Sequence, residues 1–219
     1  MIDLTPYHHR LNSLSPFRFS GTVQEAVGLL VTSQGPRLPV GGICKVYPLS
    51  GGPPAMAEVI GFKGEQTLLM PLGDMHGVAL GSTVVAVAQK AQCGVGDELL
   101  GRVIDGLGRP IDGKGPFTPA HYYPLYTPVA NPLDRQDINK PLDMGIRAIG
   151  GLLTCGKGQR VAIMAGSGVG KSTLIAMIAR YTRADVKVIA LLGERGREVQ
   201  EFVETVLPPH DRQSTVVVA

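Results

Sequence analysis

Tryptophan is absent from these 219 residues, and only five phenylalanines and six tyrosines are present. A groove that holds single-stranded nucleic acid needs aromatic platforms interleaved with basic side chains. So few rings, and a net charge of only +3, give no compositional support for a nucleic-acid partner. Cysteine is scarce as well: Cys44, Cys93 and Cys155 are far apart and odd in number. They lack metal-ligand spacing and cannot all pair internally, which excludes a disulfide framework and points to a reducing compartment. No apolar run approaches the ~18 residues of a membrane span. The N-terminus lacks the charged-then-apolar pattern of a secretory signal. A soluble cytoplasmic protein is the resulting expectation.

Glycine (29) and proline (17) are abundant instead, and the glycines concentrate in one informative stretch. Arg160-Val-Ala-Ile-Met-Ala-Gly-Ser-Gly-Val-Gly-Lys-Ser-Thr173 reads as a short apolar strand over Arg160–Ala165, a glycine-rich turn, and a helix start. Such a turn aims backbone N–H groups at one point, and the next helix adds its positive dipole end there. Phosphate is the natural occupant. The cradle comprises Ala165, Gly166, Ser167, Gly168, Val169, Gly170, Lys171, Ser172 and Thr173. Lys171 supplies a point charge for the outer phosphates, and the Ser172 hydroxyl a ligand for Mg²⁺. Leu174, Ile175, Met177, Ile178 and Tyr181 recur at helical spacing behind it.

Four segments follow from changes in texture. Residues 1–20 are a terminal appendage; Thr5-Pro6 opens a short amphipathic helix with Tyr7, Leu11 and Leu14 on one face, ended by Pro16. Both a solvated end and a docking helix fit it. Residues 21–90 carry short apolar runs closed by Gly or Pro: Val27–Thr32, Ile43–Leu49, Met56–Phe62, Thr67–Leu72 and Thr83–Ala88. Five or six such strands predict a small antiparallel β-barrel. With only Arg37, Lys45 and Lys63 as its basic residues up to Thr83–Ala88, the barrel reads as a packing or assembly domain. Residues 91–145 are a turn- and proline-rich connector. It includes a strand over Leu99–Ile104 and a run of tight turns over Asp105–Gly113, where Asp105 and Asp112 are too few and wrongly spaced for calcium and cap their own backbone. Tyr122, Tyr123 and Tyr126 read as anchors for this connector.

Residues 146–219 open with a broken helix across Leu142–Leu153 and continue through the phosphate loop. Val186–Leu192 is a β-branched run with little alternation, as for a strand covered on both faces. A helix follows with Val199, Phe202, Val203, Val206 and Leu207 on one face, and Ser214–Ala219 begins another strand. Strand–helix–strand–helix–strand makes a parallel sheet, and the fold class is α/β. In such sheets ligands sit beyond the carboxyl ends of the strands. Glu194, directly after one strand, is therefore the candidate to orient a water for attack on a terminal phosphate. Pairing with Arg195 or Arg197 is the structural alternative.

The runs Ala165–Thr173, Ala179-Arg-Tyr-Thr-Arg-Ala-Asp-Val186 and Gly193-Glu-Arg-Gly-Arg-Glu-Val199 together resemble the flagellar type III export ATPases. Leu100–Gly113 and Asn131–Arg135 are similar to the same family, within the rotary ATPase superfamily of the ATP synthase α and β subunits. The resemblance implies a barrel, a connector and a RecA-like P-loop domain, in a homohexameric ring with ATP at subunit interfaces. By carry-over, Lys171 contacts the phosphates, Ser172 holds Mg²⁺, Glu194 is the catalytic acid and Arg195 supports the site. It further implies a cytoplasmic location, peripheral to the inner membrane at the export apparatus. The partners implied are a stator-like regulatory protein at residues 1–20, an export gate and chaperone–cargo complexes, with no nucleic acid and at most peripheral membrane contact.

Two departures bear on this. Gly150 stands where relatives often carry Asp or Asn, so that capping contact does not carry over. Relatives continue for about as long again after the point matched by Ala219. The reading is therefore of a truncated RecA-like domain with an exposed edge and an uncovered apolar face, inactive by itself, from an ATPase coupled to protein export. The alternatives are a virulence-type secretion ATPase and a non-catalytic nucleotide-binding or assembly subunit of a rotary ATPase. An acid at position 194 distinguishes the catalytic from the non-catalytic reading.

Overall fold

The computed structural model describes residues 17–129, 131–166, 168–207 and 209–219. The helix expected over Thr5–Leu14 lies outside the described residues. The chain divides into two compact units. One is built from the chain up to Gln92 plus Pro124–Tyr126, the other from Cys93–Tyr123 plus Thr127–Ala219.

The first unit is a closed antiparallel barrel of six strands: β1 (Ser20–Val27), β2 (Leu30–Gln34), β3 (Ile43–Tyr47), β4 (Ala55–Lys63), β5 (Gln66–Pro71) and β6 (Thr83–Ala88). Their order around the barrel is β1-β2-β5-β4-β3-β6. Alternation explains the closure. Along β4, Ala55, Ala57 and Val59 point inward, and along β5 Thr67 and Leu69 do so. Ala57, Val59 and Leu69 join Val23, Val31, Leu38, Cys44, Val46 and Val84 in one core. Closure leaves no free edge and pairs each strand on both sides. Bulges at Val23/Glu25, Ile43/Cys44 and Val59/Gly61 supply the local bend.

Two details differ from the pattern of apolar runs. Val27–Thr32 is not one strand but the turn of a hairpin: Val27 pairs with Leu30, and Gly28 (φ 59°) takes the left-handed conformation that a two-residue loop demands. The strand β1 has no apolar run to announce it, because Val23 is its only buried residue.

The second unit is organised around a parallel sheet in the order β12-β13-β8. Its strands are β8 (Val103–Ile104), β12 (Lys187–Ala190) and β13 (Thr215–Val218). Between β8 and β12 come β9 (His121–Pro124), β10 (Pro141–Leu142), α1 (Arg147–Leu152), β11 (Cys155–Gly156) and α2 (Lys171–Tyr181); α3 (Gly196–Glu201) follows β12 and runs on as a π-turn through Val206. The strand β7 (Gln92–Val95) pairs with β9, and β10 with β11. Ala176 and Ala179 of α2 pack with Val103, Phe202, Leu207 and Val217 in the core of this unit.

Three expectations are corrected here. Leu99–Ile104 is a strand only over Val103–Ile104, because a 3-10 turn at Asp97–Leu99 and a left-handed Gly101 (φ 78°) precede it. The β-branched run Val186–Leu192 is a strand only over Lys187–Ala190 and is covered on one face: Ile189 and Leu191 meet the core, whereas Val188 is 69% and Leu192 80% exposed. Arg160–Ala165 is not a strand. It joins no ladder among the described residues, and extended backbone becomes sheet only where a neighbour accepts its hydrogen bonds.

The turns after β8 follow their aspartates. The Asp105 carboxylate accepts from the amides of Leu107 (2.9 Å) and Arg109 (2.8 Å) and from Arg109 Nε (2.7 Å). Burial disfavours its charge, but these bonds outweigh it and hold its pKa below the usual carboxylate value. Asp112 accepts from Arg102 Nε (2.7 Å) and Nη2 (2.9 Å), and from the amides of Val103 and Lys114. The Arg102 bond is the main reason its pKa falls far below the ordinary value.

Candidate functional site

The glycine-rich turn delivers the geometry that its composition suggests. Gly168 (φ 77°) and Gly170 (φ 101°) both sit in the left-handed region, where a side chain would be strained. Gly170 is the N-cap of α2, and no side chain caps this end. The first helical bond runs from the Leu174 amide to the Gly170 carbonyl at 2.9 Å. The amides of Lys171, Ser172 and Thr173 therefore donate to nothing among the described residues, at the positive end of an eleven-residue helix. Lys171, Ser172 and Thr173 are exposed, and neither the Lys171 ammonium nor the Ser172 hydroxyl has a partner among the described residues. Ala165, Gly166 and Val169 are exposed around them; Ser167 lies outside the described residues.

Glu194 stands four residues beyond the carboxyl end of β12, after a left-handed Gly193 (φ 73°) that turns the chain off the sheet. It forms no hydrogen bond or ion pair among the described residues, so the structural alternative of pairing with Arg195 or Arg197 is not what the geometry shows. Arg195 is instead the N-cap of α3, its carbonyl accepting from the amides of Glu198 and Val199, and its guanidinium lies 3.9 Å from Glu198. The exposure of that pair makes it weak. No bond joins Glu194 to Lys171 or Ser172. Because Arg160–Ala165 stays out of the ladder, the expectation that both loops rise from one sheet edge is met only by Glu194.

The chemistry is legible all the same. Amides without an acceptor among the described residues, a lysine and a hydroxyl at one helix start are groups with which a chain can hold an anion. An unpaired carboxylate after a parallel strand is a group available to a water.

Residues 145–219 match the ATP synthase alpha/beta family, nucleotide-binding domain. Over 201 residues the chain is 46% identical to the flagellum-specific ATP synthase of Pseudomonas aeruginosa, an alignment that takes in 91% of this chain and 45% of that protein. The chain is similar to about half of the proteins named flagellum-specific ATP synthase. The flagellum-specific ATP synthase of Salmonella typhimurium is 42% identical over 226 residues, covering 99% of this chain and 49% of its own length. The type 3 secretion system ATPase of Xanthomonas euvesicatoria is 40% identical over 214 residues, with 98% and 48% covered. Among solved structures, the assembled ATPase EscN from the type III secretion system of enteropathogenic E. coli is similar with a TM-score of 0.79 at 40% identity. That match covers 90% of this chain and 47% of EscN. The chain thus spans about half the length of the curated relatives it matches. The barrel followed by a nucleotide-binding domain is the architecture that these likenesses share with it.

One pair of contacts escaped sequence reasoning. Asp211 meets Arg180 in the last turn of α2 (3.0 Å), and Asp143 meets Arg183 just past its end (3.4 Å). Separations of 40 and 31 residues hide such pairs from any local pattern.

Proposed function

We propose that this chain is the barrel and phosphate-binding part of an ATPase that energises flagellar protein export. The observation that carries the reading is the uncapped start of α2, with three free amides beside Lys171 and Ser172, together with the unpaired Glu194 beyond β12. In this reading the loop amides and Lys171 bind the β- and γ-phosphates of ATP, and Glu194 orients the attacking water. Catalysis of phosphoryl transfer is then positioning plus electrostatics, which suits a site made of backbone amides and two charges. The Ser172 hydroxyl would hold Mg²⁺, which when bound neutralises phosphate charge. Arg195, held at the N-cap of α3, supports the loop that carries Glu194.

The likeness to EscN, solved as an assembly and in complex with its central stalk EscO, supports a homohexamer and a stalk-like partner. We extend the same reading to a stator-like regulator at residues 1–20, an export gate and chaperone–cargo complexes, at the cytoplasmic face of the inner membrane. No helix among the described residues is long and apolar enough to cross a membrane. The working division is an appendage (1–20), a barrel (21–90), a connector (91–145) and the first part of the nucleotide-binding domain (146–219). A flagellar rather than virulence role is supported by the Pseudomonas and Salmonella relatives, and a catalytic rather than assembly role by the acid at position 194.

The test is ATP turnover of the whole protein. Lys171→Ala and Glu194→Gln are each expected to lower kcat by at least about 100-fold. Turnover unchanged in Glu194→Gln removes that residue from its role, and unchanged in Lys171→Ala removes the site. Nucleotide binding that persists in Glu194→Gln and fails in Lys171→Ala separates the two functions.

A further inference from the structure

In the helix that begins at the glycine-rich loop the buried side chains are two alanines, with Leu174, Ile175 and Ile178 half-buried. Ala176 and Ala179 are the buried residues of α2. Small residues allow close approach, but they present no ridge to interlock with a groove, so they resist sliding and rotation poorly. A side-chain tie between the helix and the start of β13 lies at its other end. Arg180 Nε donates to Asp211 Oδ2 at 3.0 Å, with the two side chains 39% and 22% exposed. His210 Nε2 stands 3.2 Å from the other oxygen of Asp211.

Asp211 is not an isolated surface acid. Its carbonyl accepts from the hydroxyl of Thr215 (3.4 Å), the fully buried first residue of β13. Thr215 pairs in parallel with Lys187, the first residue of β12. The Leu191 amide, just past β12, donates to Val218 of β13 at 2.8 Å, and Glu194 follows three residues later. A path of hydrogen bonds and chain therefore runs from the last turn of α2, through Asp211 and the β13–β12 ladder, to the loop that carries Glu194.

We infer that Arg180 and Asp211 are positioning residues: their pair fixes the register of α2 against β13 and so sets where Lys171 and Ser172 stand relative to Glu194. This rests on the hydrolytic reading above. A second arginine provides an internal control. Arg183, two residues past the same end of α2, meets Asp143 at 3.4 Å and is 83% exposed; there the Arg183 amide and the Thr182 hydroxyl also donate to Asp143 O, both at 3.1 Å, and these contacts tie the chain to Asp143 and not to β13. Losing the Arg183 side chain leaves those two bonds in place.

The experiment measures ATP turnover and nucleotide affinity separately in the whole protein. Lys171→Ala comes first: turnover that survives it overturns the hydrolytic reading itself. With that reading standing, Arg180→Ala and Asp211→Ala are each expected to lower kcat by about 10-fold while the dissociation constant for ATP moves by less than about 2-fold. The cradle is local to one loop, whereas the catalytic distance spans the sheet. Arg183→Ala is expected to leave both within about 2-fold. Arg180→Lys, which keeps a cation for Asp211, is expected to recover most of kcat and serves if the alanine variants fold poorly. Equal losses of kcat and affinity, a lowered melting temperature with unchanged kcat, or an equal kcat loss in Arg183→Ala would each overturn the proposal.

Discussion

The barrel and the phosphate-binding unit treat the backbone in opposite ways. In the barrel each strand has a neighbour on both sides, and the core of Val23, Val46, Val59, Leu69 and Val84 is almost wholly shielded from water. In the second unit the glycine-rich stretch differs: among the described residues Arg160–Gly166 joins no ladder and the first three amides of α2 have no acceptor, and Met164 is 90% exposed. The lesson is about where a chain spends its hydrogen bonds. A barrel consumes its own donors, whereas a phosphate site must keep donors unspent and in place for a ligand.

Hydrogen exchange is the sharpest way to test this contrast. Amides of Val59 and Leu69 are expected to exchange at least about 10³-fold more slowly than those of Ala162–Ala165, because core strands open only with the whole unit. Equal rates in the two segments would erase the distinction. ATP is expected to slow the amides of Lys171–Thr173 without changing those of β4 and β5.

The contrast is weakest at Asp112, where the second unit has a rigid point of its own. The Arg102 and Asp112 side chains are 11% and 4% exposed, and removing one partner of such a pair costs about 3–5 kcal/mol. Asp112→Ala is expected to destabilise the second unit by that amount in a denaturant titration read from a probe on β8, leaving barrel probes unmoved. The pH dependence has a definite sign. The folded pKa of Asp112 lies far below its ordinary value of 3.8, so its contribution is complete above about pH 5 and fades as pH falls through 3.8 toward the folded value. A wild-type acid transition that persists unchanged in Asp112→Asn would assign the acid sensitivity elsewhere.

Core truncation separates the regions at a smaller scale. Leu69→Ala removes a fully buried side chain and is expected to cost about 2–5 kcal/mol. Met164→Ala, at the exposed loop, is expected to stay within about 0.5 kcal/mol. Comparable losses would mean that the loop is packed in solution.

How much of this was legible beforehand follows the same division. Barrel strands β3 to β6 could be read because period-two apolar residues and glycine turns are local signals; β1 could not, with Val23 alone facing inward, and the run Val27–Thr32 hid the hairpin turn between β1 and β2. The turn before α2 was legible at Gly168 and Gly170, whose left-handed backbone is what glycine is needed for. Its strand was not, because a strand is a property of two segments, and local periodicity reports only one. Glu194 could be placed after an apolar run, but the clasp of Arg180 by Asp211 joins residues 31 apart, and no local pattern reports it.

The smallest expected effect concerns the place where the connector returns to the barrel. Tyr126 Oη donates to Glu58 at 2.7 Å, and its ring lies against Gly41. The bond to Glu58 raises the phenol's pKa above its ordinary 10.0. A group whose pKa is raised on folding contributes stability below its unfolded value and loses it as pH climbs through the folded one. The bond is therefore intact at neutral pH and weakens only above about pH 10. The ring is exposed, so solvent screens the interaction, and Tyr126→Phe is expected to lower the barrel's melting temperature by no more than about 2 °C at pH 7. Glu58→Gln should bring the Tyr126 ionisation, followed by NMR of a ring-labelled sample, back toward 10. If Tyr126→Phe instead cost as much as Leu69→Ala, the return of the connector would be part of the barrel's core, and its closure would depend on more than its six strands.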